Sequence, residues 1–280
     1  MKKQVVIFCI ILFISGLGLL LYPFISNLIN QRNASKVIND YEENIKNMDK
    51  EEIDMIKEAA KKYNEQLNQA ISADSQAEDN AVSYKDINGE NQVIGYIVIP
   101  KIDVNLPIYS GTSESVLKKG VGHMQQTSYP LGGKSTHCVL TGHRGLPSAT
   151  LFTDLDKIDI GDEFYLHVMD EVLAYRVDKI SVVEPDESEF LDIIEGEDYC
   201  TLVTCTPYAI NTHRLLVRGV RTEYKEGLES ETHSQMQSGS FTKRIVDVWP
   251  WLLIAFAIVS SVEVIIFILM IRRKKKNMEE

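Results

Sequence analysis

Residues 4–25, QVVIFCIILFISGLGLLLYPFI, carry no charged side chain, and residues 248–271 carry one, Glu263. At a helical rise of about 1.5 Å per residue, either stretch crosses the roughly 30 Å hydrocarbon core of a bilayer. The rest of the chain is therefore expected to fold between two membrane anchors. Lys2 and Lys3 precede the first run, and Arg272, Arg273, Lys274, Lys275 and Lys276 follow the second at once. Basic residues stay on the cytoplasmic side, so both termini are expected in the cytoplasm and the part between the spans outside it. The first run is longer than the apolar core of a secretory signal, and no small-x-small cleavage site follows it. It reads as an uncleaved anchor. Glu263 reads as a polar residue tolerated in a long span, at an insertion cost of roughly 3 kcal/mol.

Between the anchors, residues 27–247 hold 22 of the 29 Lys and Arg and 37 of the 40 Asp and Glu, a net charge of −15. Nucleic acid is a poor partner for such a surface, because binding to phosphate backbones depends on clustered cations. The four cysteines, Cys9, Cys138, Cys200 and Cys205, lack the paired spacing of a zinc ribbon. Three of them belong to the external part, and an odd number leaves at least one free thiol. In an oxidising compartment a free thiol is a liability unless it is buried or used.

Apolar residues recur at spacings of three and four through Ile38, Tyr41, Ile45 and Met48, and again through Ile56, Ala59 or Ala60, Tyr63 and Leu67. The stripe breaks near Asp49, which with Glu52 resembles a capping box, so two consecutive helices are expected. Residues 72–92 are polar and acidic without apolar period, and read as a loop or linker. From Val93 onward come short β-type runs, VIGYIVI, HCVLTGH, EFYLHVM, VLAYRVDKISVVE, YCTLVTC and HRLLVRGVRT, punctuated by Gly and Pro at spacings that suit an antiparallel barrel. Helical pieces are expected at 113–118 and 150–157. The polar segment after Tyr224 reads as a flexible tether. This divides the chain into a cytoplasmic start and anchor (1–26), helices with a lid or linker (27–92), a β-barrel (93–224), the tether (225–247), a second transmembrane helix (248–271) and a basic cytoplasmic tail (272–280).

Three residues of the β region have the chemistry of a thiol transferase. Cys205 ends the run TLVTC, in which Thr201, Val203 and Cys205 share one face of a strand that Pro207 stops. His143 follows the run VLTG and precedes the turn at 145–147. Arg214 opens RLLVRG, nine residues after Cys205. A thiolate is a nucleophile, an imidazolium can protonate a leaving amine, and a guanidinium can donate several hydrogen bonds to an oxyanion. Spacing alone leaves each residue an ordinary alternative: a core thiol, a structural histidine, a surface ion pair. His123, His137, His167 and His213 show no metal-ligand spacing and are expected to be structural. Cys138 and Cys200 are expected to be buried free thiols, and Cys200 and Cys205 to point to opposite faces.

The motifs TLVTC, continuing as TPYAINTHRLLVRG, and TGHRGLPSATLFTDLDK resemble the sortase signature, and specifically that of the pilin-polymerising class C sortases. The similarity covers roughly residues 40–224 and includes GYIVIPKIDVNLPIYSGTS. It implies a mainly β fold, a closed antiparallel sortase-type barrel with short helices, preceded by N-terminal helices and flanked by two transmembrane helices. It also implies a cysteine nucleophile at Cys205, a catalytic histidine at His143 and an arginine at Arg214, with no cofactor and no metal. The order, His before Cys with an Arg partner, differs from papain-like enzymes, where Cys comes first.

By that resemblance Cys205 attacks the Thr-Gly bond of an LPxTG-like sorting signal, and a lysine amine of another pilin subunit resolves the thioacyl enzyme into an isopeptide bond. The implied partners are pilin subunits bearing such signals and acceptor lysines, together with the lipid bilayer. Two alternatives are a housekeeping sortase that attaches surface proteins to peptidoglycan and a non-catalytic pilin-assembly scaffold. Class C sortases commonly carry an Asp-Pro-aromatic lid over the site. Residues 72–92 contain no proline and one aromatic, Tyr84, so the loop is expected to cover the site weakly.

Overall fold

The computed structural model describes residues 2–72, 83–89, 91–187 and 189–225. The second apolar run, the basic tail, nearly all of the tether and residues 73–82 of the linker lie outside these described residues. Helix α1 covers Lys2–Asn47 and α2 covers Lys50–Ser72. The break falls where the apolar stripe is interrupted, and the first turn of α2 closes with the amides of Glu52 and Ile53 donating to the Asp49 carbonyl. One described helix, α1, holds a stretch long and apolar enough to cross a membrane, and none of that stretch is buried. From Phe24 onward the described chain forms one compact body.

Within residues 72–92 a five-residue helix, α3 (Tyr84–Asn88), replaces the expected loop. It carries only one turn of apolar spacing, Tyr84 and Ile87, both buried. So short a stretch yields no readable period, and burial of two side chains rather than propensity holds it. Ser83 and Asp86 close its start, the Ser83 amide donating to Asp86 Oδ2 at 3.3 Å.

Eight strands follow: β1 (Val93–Ile99), β2 (Val104–Ser110), β3 (Val121–His123), β4 (Thr136–Thr141), β5 (Glu163–Val168), β6 (Glu171–Val183), β7 (Asp198–Thr206) and β8 (His213–Thr222). They close into a barrel in the order β1-β2-β3-β4-β7-β8-β6-β5. A short helix α4 (Glu114–Leu117), capped by the Ser113 hydroxyl, links β2 to β3. Of the helix expected at 150–157, only the 3-10 turn Leu155–Lys157 forms.

The barrel is not purely antiparallel, which corrects the expectation from turn spacing. β2 pairs with β3, and β4 with β7, in parallel. A parallel pair cannot be joined by a tight hairpin. The first crosses over through α4, and the second through the whole β5–β6 hairpin and the 184–197 connection. Side chains alternate along each strand, so Ile97, Ile108, Leu140, Leu166, Leu202 and Val217 fill the interior in one cluster. Ala34, Ala60, Tyr63 and Tyr84 join that cluster, so α1, α2 and α3 are part of the same core. Polar ties fix the helices further: Tyr41 donates to the Ile94 carbonyl at 3.1 Å and accepts from the Met169 amide at 2.7 Å. Asn64 exchanges two bonds with the Tyr129 backbone.

Candidate active site

In β7 the even-numbered side chains Cys200 and Leu202 belong to the barrel interior. The odd-numbered Thr201, Val203 and Cys205 therefore lie on the outer face. Cys200 is fully buried, whereas Cys205, at the strand end where packing thins, is half-buried. In the antiparallel ladder between β7 and β8, Cys205 stands directly opposite Arg214. The connecting loop turns back at Pro207, whose carbonyl accepts from the amides of Ile210 and Asn211 at 3.1 and 3.0 Å. Arg214 steadies this loop, its Nη1 donating to the carbonyls of Asn211 at 3.3 Å and His213 at 3.1 Å. Its Nε and Nη2 make no hydrogen bond among the described residues.

β4 approaches β7 from the other side in a constant parallel register that runs from Thr136 opposite Asp198 to Thr141 opposite Val203. The pairing outlasts the strand: the Gly142 amide donates to the Val203 carbonyl at 3.1 Å, and the Thr204 hydroxyl donates to the Gly142 carbonyl at 2.7 Å. The same offset of 62 residues, continued one step past that bond, pairs His143 with Cys205 in sequence. Cys205 and Arg214 thus share one rung of the β7–β8 ladder, and the segment that carries His143 runs beside β7 on its other side. Gly142 is required by close approach, since a Cβ there would meet the Phe152 ring at 2.7 Å. Phe152 is fully buried, and its amide donates to the His143 carbonyl at 3.1 Å. That seat fixes the backbone from which the imidazole projects.

Burial holds the His143 imidazole below its ordinary pKa; Glu114 on α4 opposes this, and Lys118 reinforces it. The resting imidazole is therefore neutral at pH 7. Glu114 and Lys118 pair with each other at 2.6 Å. Val139, Val183, Val203 and Leu216, with Met124 and Leu191 against them, form an apolar cluster of their own on the Cys205 face. On the same face a cavity of about 220 Å³ is bordered by Lys179, Phe190, Ile194, Thr201, Leu216 and Arg218.

The other barrel histidines are committed elsewhere. His123 is buried between the Tyr84 hydroxyl, 2.6 Å from Nδ1, and the Ser128 carbonyl, 2.9 Å from Nε2. A carbonyl only accepts, so Nε2 carries the proton and Nδ1 accepts from Tyr84. His137 lies between the Asp192 carbonyl and the Thr201 hydroxyl. His167 stacks on Tyr96 with ring centroids 4.2 Å apart, and His213 faces Glu184 at 3.1 Å. Among the described residues no group of three or more His, Cys, Asp or Glu side chains is placed to hold a metal.

One residue near the site carries no signal in the sequence beyond its place in the His143 motif. Arg144 is 8% exposed at its side chain. It donates through Nη1 to the Thr206 hydroxyl at 3.1 Å and through Nη2 to Asp156. Its Nε is the one buried side-chain polar atom without a hydrogen-bond partner among the described residues. An unpaired buried donor costs about 1 to 3 kcal/mol, so Arg144 is a poor device for stability alone.

Residues 97–222 match the sortase domain as a protein family. Sortase D of Bacillus subtilis is 33% identical over 151 residues, 54% of this chain and 71% of that protein. Sortase A of Streptococcus agalactiae is 33% identical over 156 residues, 54% of this chain, and the match spans 61% of that protein. Among solved structures, Clostridium perfringens sortase C with the C-terminal cell wall sorting motif is 49% identical, with a TM-score of 0.61 over 68% of this chain and all of that one. Sortase C-1 of Streptococcus pneumoniae is 45% identical, with a TM-score of 0.60 over 67% of this chain and 98% of that one.

Proposed function

Because the chain belongs to the sortase family, whose members are cysteine transpeptidases, we propose that it joins an LPxTG-like sorting signal to a lysine amine of another pilin subunit. Cys205 is the nucleophile in this reading. Its sulfur attacks the threonine carbonyl carbon, and the carbonyl oxygen takes up the electron pair as an oxyanion. Arg214 donates to that oxygen; its uncommitted Nε and Nη2 suit the role, and a guanidinium keeps its charge at any working pH. Neutral His143 takes up the thiol proton as the sulfur attacks, and as the Thr-Gly bond breaks it gives that proton to the departing glycine amine, leaving a thioacyl enzyme. In the second half the lysine amine attacks the thioester, neutral His143 takes the proton, and Cys205 leaves as the thiolate. The product is an isopeptide bond.

The observation that carries this reading is the Cys205–Arg214 rung of β7 and β8, with the chain on either side of His143 bonded to β7 through Gly142 and Arg144. The partly buried Met124 and Leu191, packed on the apolar cluster of the same face, are the side chains against which an extended peptide would set its leucine and proline. Pilin polymerisation is favoured over transfer to peptidoglycan by the class C proteins among the structural neighbours. The apolar stretch of α1 fits an anchored enzyme, and two reactants confined to one membrane surface meet at raised effective concentration.

The test is to incubate the full chain in detergent with a sorting peptide and a lysine-bearing pilin peptide. A mass increase on Cys205 equal to the acyl half, followed by a lysine-linked product, is expected. Transfer only to a peptidoglycan stem peptide would favour the housekeeping alternative, and no adduct at all would leave the scaffold.

A further inference from the structure

The β4–β7 ladder ends before the reacting rung. Backbone pairing stops at Gly142 and Val203, and nothing in the main chain dictates how far His143 then stands from Cys205. Side chains bracket that rung on both sides. One step before it, Thr204 donates to the Gly142 carbonyl at 2.7 Å; one step after it, Arg144 donates to the Thr206 hydroxyl at 3.1 Å. Both bonds join residues 62 apart in sequence, the offset of the strand register itself.

The outer of these two links is braced. Asp156, in the 3-10 turn Leu155–Lys157, pairs with the far nitrogen of the guanidinium. The Tyr208 ring lies 5.9 Å from the guanidinium carbon. Gly145, at φ +78°, approaches that ring so closely that a Cβ would sit 3.1 Å from it. Within β7, Thr206 alternates with Cys205 and so lies on the opposite side of the strand from the thiol, and Arg144 bonds to its hydroxyl. The clamp therefore lies behind the reacting rung, away from the face on which a peptide would lie.

We propose that Arg144 is a positioning residue of the transfer reaction, a clamp from the His143 loop to the Cys205 strand that sets the approach of imidazole to thiol. The inference rests on the roles given above to His143 and Cys205. A planar guanidinium is suited to it, because one rigid group reaches Thr206 and Asp156 at once, which an ammonium on a flexible stem does not. Since the clamp is off the peptide face, its loss should appear in kcat with little change in KM.

The experiment measures kcat, KM and the pH profile of Cys205 acylation by a sorting peptide, in the full chain, for wild type, Arg144→Lys, Arg144→Gln, Thr206→Val and the Arg144→Gln/Thr206→Val double variant. The alkylation rate of Cys205 by a small neutral reagent, taken at a pH above the ordinary thiol pKa of about 8.5 so that ionisation needs no imidazole, is followed alongside. Arg144→Gln is expected to lower kcat by at least about tenfold, with KM within about threefold and alkylation within about twofold. Thr206→Val should lose part of the rate, and the double variant should be no slower than the worse single one, because both remove the same link. Arg144→Lys should restore less than half of the loss. Thr206→Val removes only a hydroxyl, so it keeps the test decisive if the arginine variants misfold. Unchanged kcat in both single variants, independent effects in the double variant, or alkylation falling in step with kcat would overturn the clamp. A wild-type chain that does not acylate Cys205 would instead bring down the underlying assignment.

Discussion

Cys138 faces Cys200 directly across the parallel β4–β7 ladder, both inside the barrel, while Cys205 sits five residues farther along β7 on the opposite face. The two interior thiols are 2% and 0% exposed and unbridged. Burial, the largest influence, opposes ionisation of both: Cys200, beside Cys138, is pushed well above the ordinary thiol range, whereas the proximity of Cys200 and His123 draws Cys138 below it. We expect a thiol reagent to label the native body at Cys205 alone and to reach Cys138 and Cys200 only after denaturation. Peptide mapping of a timed reaction checks this; native labelling of Cys138 at a comparable rate would mean that the barrel opens readily.

Cys205→Ala should abolish the thioacyl adduct and all transfer while moving Tm little, because the lost sulfur is half-exposed and leaves no sealed cavity. Product formation by the purified variant would require a different nucleophile.

Arg214→Lys keeps the charge and loses the planar set of donors. A fall of about tenfold or more in kcat/KM, or roughly 1.4 kcal/mol, is expected if geometry at the oxyanion matters. An unchanged value would reduce Arg214 to its role in bonding the carbonyls of Asn211 and His213.

Tyr84→Phe deletes the hydroxyl that donates to His123 Nδ1 and strands a buried acceptor. The expected loss is about 1 to 3 kcal/mol, read by urea denaturation, with faster hydrogen exchange of the α3 amides. A neutral substitution would mean that α3 is docked by its ring and Ile87 alone.

Stability should also fall on acidification because of His137. Burial, the main cause, holds its pKa down; the Asp192 carbonyl opposes this and Arg218 reinforces it. In the neutral form Nδ1 donates to Asp192 and Nε2 accepts from Thr201, so protonation forces Nε2 to lose its donor. The unfolded chain therefore binds more protons than the folded one once pH falls through about 6.5, and stability declines through that value until it passes the lower folded pKa. Tm measured from pH 7.5 to 5.0 should drop in that window, and His137→Gln should flatten the slope. An equal slope in the variant would place the proton uptake elsewhere.

The sequence makes some of these features readable and hides others for physical reasons. Six strands announce themselves as apolar or alternating runs. β2 does not, because Pro107 lies within it, and β3 does not, because three residues are too few. Cys205 and Arg214 are legible as a pair because nine residues of strand and turn return the chain beside itself. The approach of His143 depends on parallel pairing with a strand far along the chain, which no local pattern encodes. Arg144 is in plain view within TGHRGLP, yet its partners Thr206 and Asp156 come from other segments, and only the folded register brings the three together.

The parallel pairing of β4 with β7 has a consequence for biosynthesis. A chain made from its N-terminus carries His143 out well before Cys205, and both before Arg214. No fragment ending ahead of β8 holds the assembled constellation, and β5 and β6 must already have been threaded for β7 to find its place beside β4. Under the proposed reaction an unfinished or misassembled copy lacks the means to carry an acyl group, which arises only with a completed barrel.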